Sequence, residues 1–149
     1  MLLYSAGFEN ITLTDAAQDI LTLATTASVP IRIHQVRISA GVTTDIRARM
    51  QILRRTTAGS GGTGITPTAK NSLNARAATT TVTSIRTTPG TAGAVLHPEQ
   101  WSLLVPFDFT PTPEQRPGVS VGGFLGVHLV AGTGASRVIS GWVDFEELG

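Results

Sequence analysis

Cysteine is missing from all 149 residues, so the chain can form no disulfide, zinc–thiolate site, iron–sulfur cluster or cysteine nucleophile. Charge is scarce as well, because charged residues make up 14% of the chain, against about 25% in an average soluble domain. Eleven basic and ten acidic residues leave a formal net charge of +1. Domains that bind nucleic acids are usually strongly basic, so we expect no nucleic-acid partner.

Long apolar runs are also lacking. The most apolar segment, residues 119–131, is interrupted by glycines, by Ser120 and by His128, and the first residues show no signal-peptide pattern. We therefore expect no membrane partner. Threonine is abundant instead, with 22 copies beside 16 glycines and 8 prolines. Threonine favours strands, while glycine and proline mark turns, so the composition predicts an all-β protein with one domain over residues 1–149.

Alternating apolar residues predict eight or nine strands, at spacings typical of an antiparallel β-sandwich. In residues 46–52 the apolar side chains share one face, which predicts a strand with one buried and one solvated side. The alternation changes parity across His34 and Gln35, which predicts a β-bulge. Residues 41–44 are predicted to form a hairpin loop between two paired strands. The remaining predicted strands are 8–13, 20–25, 79–86, 101–109, 119–130 and 138–145, the fifth of them bent at Gly122 and Gly123.

Two segments lack strand patterns. Residues 56–78 are rich in Thr, Gly, Ser, Ala and Asn and have no apolar periodicity. A loop of that length is uncommon inside a folded domain and is usually functional or flexible. Residues 110–118 contain alternating prolines, which favour an extended connection that donates few ladder hydrogen bonds.

Four patterns resemble chemical motifs, but their contexts do not fit. Residues 59–64 match G-x-G-x-x-G, yet no helix is predicted after them to bind a pyrophosphate. Residues 118–122 match G-x-S-x-G, but a nucleophile elbow needs a strand before the serine and a helix after it. The three histidines lie far apart, and the adjacent Glu146 and Glu147 are predicted to be a solvated strand end. We therefore expect no catalytic residue, no cofactor and no metal.

Arginine accounts for ten of the eleven basic residues. Four of these arginines lie on one predicted strand, and Arg32 and Arg37 lie on its predicted neighbour. The four are Arg47, Arg49, Arg54 and Arg55. One interpretation is a solvated sheet face with cross-strand ion pairs, and the other is an interface for an acidic protein partner.

The order of several segments resembles that of small all-β capsid decoration (cement) proteins of tailed bacteriophages. The segments that carry the resemblance are Thr14-Asp15-Ala16-Ala17-Gln18-Asp19-Ile20-Leu21, Pro30-Ile31-Arg32-Ile33-His34-Gln35-Val36, Gly59-Ser60-Gly61-Gly62-Thr63 with Thr66-Pro67, Pro111-Thr112-Pro113-Glu114-Gln115-Arg116 and Gly141-Trp142-Val143-Asp144-Phe145-Glu146-Glu147. The resemblance implies a jelly-roll-like sandwich on the outer surface of a virion. It also implies a homotrimer that binds the major capsid protein.

Residues 1–10 and 56–78 have no evident packing role in the sequence, so we predict that they supply contacts between chains. The candidate interface residues are Leu2, Leu3, Tyr4, Phe8, Arg47, Arg49, Arg54, Arg55, Ile65 and Pro67. An alternative is a carbohydrate- or receptor-binding module such as a head fibre or tail-associated protein, in which Tyr4, Trp101 and Trp142 would be exposed together. An enzyme is a third alternative, with Ser120 as its only candidate nucleophile.

Overall fold

A computed structural model describes residues 2–74 and 76–149, and these residues form twelve β-strands and two 3₁₀ helices. The strands are β1 (Leu2–Leu13), β2 (Gln18–Ala24), β3 (Ile31–Ala40), β4 (Arg47–Arg55), β5 (Thr63–Ile65), β6 (Thr68–Ala69), β7 (Thr81–Arg86), β8 (Ala92–Ser102), β9 (Phe107–Phe109), β10 (Gly118–Val119), β11 (Phe124–Leu129) and β12 (Arg137–Glu147). The 3₁₀ helices are Ser72–Asn74 and Pro113–Gln115. The prediction of an all-β protein is confirmed.

The strands form two antiparallel sheets that pack face to face. One sheet has the order β10-β3-β12-β1-β6, with β9 also paired to β3, and the other has the order β5-β7-β2-β11-β4-β8. Eight strands remain when β9 and β10 are counted as one interrupted strand and β5, β6 and β7 are left out. Renumbered 1 to 8 along the chain, these strands lie in the order 1-8-3-6 in the first sheet and 2-7-4-5 in the second. This is the strand arrangement of a jelly roll, so the predicted jelly-roll-like sandwich is confirmed.

The core lies between the sheets, and the alternation in β4 shows how it is built. Ala48, Met50 and Ile52 are buried, whereas Arg47 and Arg49 between them are exposed. Full burial of a side chain such as that of Ile52 contributes about 1.5–3 kcal/mol to the stability of the fold. These observations confirm the predicted faces of this strand.

The predicted bulge in β3 is also confirmed. Gln35 lies opposite Asp144 and Ile33 lies opposite Phe145, so His34 is the extra residue. The bulge lets Ile33 and Val36 both face the core, although they are three positions apart.

The predicted hairpin at residues 41–44 is wrong. β3 pairs with β9, β10 and β12, whereas β4 pairs with β8 and β11 in the opposite sheet. Residues 41–46 therefore cross from one sheet to the other. The apolar pattern shows which face of each strand is buried, but it does not show which strand is the partner.

The prediction that residues 1–10 lack a local packing role is wrong for the described residues, 2–10. β1 lies between β12 and β6 in its sheet, and its side chains at positions 4, 6 and 8 are in the core. Met1 lies outside the described residues.

Residues 56–78 belong to an insertion between β4 and β8 that closes one side of the sandwich. β7 extends one sheet next to β2 and carries β5 on its outer edge, while β6 extends the other sheet next to β1. The segment is therefore not a free loop, although Ala75 within it lies outside the described residues. The edge strands have only three and two residues, and short edges discourage pairing with other chains.

The opposite side of the sandwich is open. β9 and β10 are separated by residues 110–117, where prolines at positions 111, 113 and 117 cannot donate to a ladder. The chain leaves the sheet there and forms the 3₁₀ helix before it returns at β10. A groove remains between this segment and β8.

Candidate functional site

The open side contains a groove of about 710 Å³, formed by β8 on one wall and by residues 108–118 on the other. Its lining residues are Arg54, Leu96, His97, Glu99, Asp108, Phe109, Thr110, Pro111, Gln115, Arg116, Pro117 and Gly118. Both sheets contribute to it, so the groove is the mouth of the space between them.

Arg54 reaches this groove because of its position in β4. It lies opposite Leu125 of β11, two residues beyond Ile52 and on the same side of the strand, which faces the other sheet. At the open side its guanidinium extends across the gap, and Nε donates to the carbonyl oxygen of Gly118 in the opposite sheet at 3.2 Å.

The two carboxylates of the groove already have partners. Asp108 accepts hydrogen bonds from Thr110 at 2.7 Å, from Arg37 at 3.2 Å and from Gln35 at 3.3 Å. The hydrogen bond from Thr110 is the largest influence that keeps the pKa of Asp108 below its ordinary value. Glu99 lies 3.0 Å from the imidazole of His97.

The two arginines of the groove have no such partner. Within residues 2–74 and 76–149, no carboxylate oxygen lies within 4.0 Å of the guanidinium nitrogens of Arg54 or Arg116. The Nε atom of Arg116 is buried and makes no hydrogen bond within the described residues, as is also the case for Nε of Arg86 and Arg137. The ring centroids of Phe109 and His97 lie 4.6 Å apart, and Phe109 gives the groove an apolar side.

A second cluster of charges is buried on the outer face of the sheet β5-β7-β2-β11-β4-β8. Asp19 is fully buried, and its two oxygens accept hydrogen bonds from Arg55 Nε at 2.8 Å and Nη2 at 2.6 Å. The imidazole of His128 lies 2.9 Å from the same carboxylate, and Arg55 also donates to the carbonyl oxygen of Gly90 at 2.7 Å. The cluster connects β2, β4 and β11 with the end of the insertion. The interpretation of the β4 arginines as a solvated face is wrong for Arg55, because the insertion covers it.

Gly126 leaves the space that this cluster needs. A Cβ atom there would lie 3.1 Å from Asp19 Oδ2 and 3.2 Å from Arg55 Nε. We expect Gly126→Ala to lower the free energy of unfolding by about 1–3 kcal/mol, since both side chains of the tightly packed ion pair must shift to make room for the Cβ atom. Gly64→Ala is the control, because nothing lies within 4 Å of its added Cβ, and its loss should not exceed about 0.5 kcal/mol. Equal values in urea unfolding would contradict this account.

Glu147 joins the insertion to the end of β12. It is fully buried, and Oε1 accepts four hydrogen bonds, from the backbone N–H and the hydroxyl of both Thr79 and Thr80, at 2.8–3.0 Å. Glu146 is buried as well and lies 3.5 Å from Arg32. The prediction of a solvated strand end at these two glutamates is wrong, because the insertion and β3 cover them.

Acid is expected to destabilise the fold through Asp19 and Glu147. Burial alone would raise both pKa values, but hydrogen bonds from His128 and Arg55 to Asp19, and from Thr79 and Thr80 to Glu147, hold them below their ordinary values. The unfolded chain therefore binds protons first, and the stabilisation present at neutral pH is lost as the pH falls below about 4.3. Urea unfolding between pH 7 and pH 3 should show a steady loss of stability below that point. A stability that stays constant down to pH 3 would contradict the expectation.

The sequence motifs acquire structural explanations. Gly59, Gly61 and Gly62 have φ values of 75°, 79° and 88°, which glycine adopts readily, and the strand β5 follows them where a dinucleotide site needs a helix. Ser120 lies in the turn between β10 and β11. Among residues 2–74 and 76–149, no three His, Asp or Glu side chains are grouped as metal ligands. No helix in the same residues is long and apolar enough to cross a membrane.

No family model, curated protein or solved structure matches this chain. We therefore infer a function from the fold and from the geometry of the groove.

The ten candidate interface residues do not form one surface. Tyr4, Phe8 and Arg55 are buried within the chain, so the assumption that their side chains are free to contact another chain is wrong. Arg47, Arg49 and Arg54 are exposed, and the other four candidates, Leu2, Leu3, Ile65 and Pro67, are half-buried. Of the ten, only Arg54 lines the groove. The sequence analysis missed Arg116, and the only signal for it was its place within the proline-rich segment.

The joint exposure of Tyr4, Trp101 and Trp142 that the carbohydrate-binding alternative requires is not observed. Tyr4 is 1% exposed and Trp101 is 3% exposed, so both belong to the core. Trp142 alone is accessible, and the guanidinium of Arg37 lies 5.8 Å from its ring centre.

Proposed function

We propose that this chain is a capsid decoration protein of a tailed bacteriophage. In this proposal it binds the outer surface of the assembled shell as a homotrimer and bridges neighbouring copies of the major capsid protein. The observation that carries the proposal is the asymmetric jelly roll, closed on one side by the insertion and open on the other as a charged groove between the sheets.

Two further features support a binding role. The buried carboxylates of Asp19 and Glu147 are taken up by hydrogen bonds within the fold, so their chemistry is structural. The jelly roll is common among viral capsid proteins and lectins, and the order of segments in the sequence resembles decoration proteins. A fold does not determine a function, so the resemblance and the groove together support this choice.

The expected mechanism is stabilisation by preferential binding. A protein that binds the assembled shell but not the free subunits adds about 2.7 kcal/mol per site at a free concentration of 100 times Kd. A trimer adds avidity, because three linked sites act at a high effective concentration.

Shells assembled without this protein provide the test. We expect the purified protein to sediment with such shells at a fixed ratio and to raise the temperature at which they release their DNA. Light scattering should give the mass of three 15.6-kDa chains. Bovine serum albumin is the control for non-specific sedimentation. Failure to sediment with shells from the phage that encodes this chain would refute the proposal.

A further inference from the structure

We propose that the groove on the open side binds an extended, acidic peptide segment of the partner protein, whose carboxylates are taken up by Arg54 and Arg116. The identity of the partner as the major capsid protein rests on the proposed function. The groove itself is inferred from the following observations.

The first observation is the unequal pairing of charges. The acids of the groove, Glu99 and Asp108, have partners at 3.0 Å and at 2.7–3.3 Å, whereas the two arginines have no carboxylate within 4.0 Å among the described residues. A planar guanidinium suits a carboxylate, because it can donate two parallel hydrogen bonds. The groove therefore has capacity for incoming carboxylates.

The second observation is that an arginine faces the gap between the sheets. β4 places Arg54 on the same side as Met50 and Ile52, where apolar residues fill the core. Its hydrogen bond to Gly118 holds it across the mouth of the groove and leaves both terminal amino groups for another acceptor. Arg116 also lines the groove, in the wall formed by residues 108–118.

The third observation concerns the shape of the ligand. β8 is the last strand of its sheet and has 11 residues, so an extended segment can lie along its length. Pro98 in β8 and the prolines of the opposite wall lack N–H donors, so these positions cannot donate to the backbone of a bound segment. Charge is then the main source of selectivity. The carboxylates of Glu99 and Asp108, which also line the groove, disfavour a long polyanion such as a nucleic acid.

The test uses the blocked peptide acetyl-Ala-Glu-Ala-Glu-Ala-amide and its glutamine analogue, titrated into the full-length protein. The readout is the NMR signals of the arginine Nε–H groups. We expect the glutamate peptide to shift the signals of Arg54 and Arg116 and to bind at least tenfold more tightly than the glutamine peptide. The double variant Arg54→Gln/Arg116→Gln should lose that difference. The single variant Arg47→Gln, in the same strand but outside the groove, should keep it.

Three results would overturn the inference: equal binding of both peptides, an unchanged affinity in the double variant, or tighter binding of a short oligothymidylate than of the glutamate peptide. Sodium acetate that reproduces the shifts at the same concentration as the peptide would also overturn it, because the site would then be a simple anion site.

An assay of binding to shells distinguishes a failure of this inference from a failure of the proposed function. We expect the double variant to bind shells at least tenfold more weakly than the wild-type protein. If the variant binds as well as the wild type, the groove is not the contact and the proposed function stands. If the wild type does not bind shells, the proposed function is wrong, and the peptide titration still decides whether the groove takes acidic segments.

Discussion

Arg55→Ala is expected to lower the free energy of unfolding by about 3–5 kcal/mol, a large part of the total for a chain of this size. The guanidinium of Arg55 supplies two of the hydrogen bonds to the fully buried carboxylate of Asp19. Without it the buried carboxylate keeps, among the described residues, only His128 and Thr22 as partners, at 2.9 and 3.3 Å. Urea unfolding at pH 7 measures the loss, and the midpoint of thermal unfolding should fall by roughly 10 °C.

The adjacent residue provides a matched control. Arg54 is exposed and has no carboxylate within 4.0 Å among the described residues, so Arg54→Ala should change the unfolding free energy by less than about 0.5 kcal/mol. The double variant Asp19→Asn/Arg55→Met should recover part of the loss, since it removes both buried charges. Similar losses for Arg54→Ala and Arg55→Ala would show that the buried ion pair does not stabilise the fold as described.

Glu147→Ala is expected to cost about 3 kcal/mol and to release the insertion from the end of β12. One oxygen of the carboxylate accepts from two N–H groups and two hydroxyls at Thr79 and Thr80. Alanine removes this acceptor, and it also removes the oxygen that accepts from Arg76 at 3.5 Å. Buried donors that lose an acceptor cost about 1–3 kcal/mol each, less what rearrangement recovers.

Hydrogen exchange locates this effect. The amides of Thr79 and Thr80 should exchange at least tenfold faster in Glu147→Ala, while amides in β3 and β11 keep their relative protection. Glu114→Ala is the control, because Glu114 is exposed in the 3₁₀ helix Pro113–Gln115. Uniform acceleration across all strands would contradict the local role of Glu147, since it would show that only global stability had changed.

Local features were predictable from the sequence wherever one face of a strand is buried, because burial then imposes an alternation of apolar and polar residues. The faces of β4 and the bulge at His34 follow from alternation, because one side of each strand must be apolar. The turn at Gly122 and Gly123 also follows from residue type, and Gly122 has a φ of 68°.

Strand partners were not predictable in the same way. In this jelly roll β3 and β4 belong to different sheets, so they are neighbours in sequence but not in space. Nothing in the local pattern of residues 41–46 distinguishes this crossover from a hairpin. The class of fold was therefore clear from composition, while the hairpin prediction was wrong.

The roles of charged residues were the least predictable. Arg54 and Arg55 are adjacent in the sequence, yet one lines the groove and the other is buried beneath the insertion. Glu146 and Glu147 likewise become buried only because distant segments fold over them. These outcomes depend on residues more than 30 positions away, which no local pattern encodes.

Electron cryomicroscopy of shells mixed with the protein tests the central claim most directly. We predict additional density on the outer surface, with three copies of the jelly roll around each occupied position and the open groove facing the major capsid protein. Shells with no added density, or with density only at the tail vertex, would contradict the account.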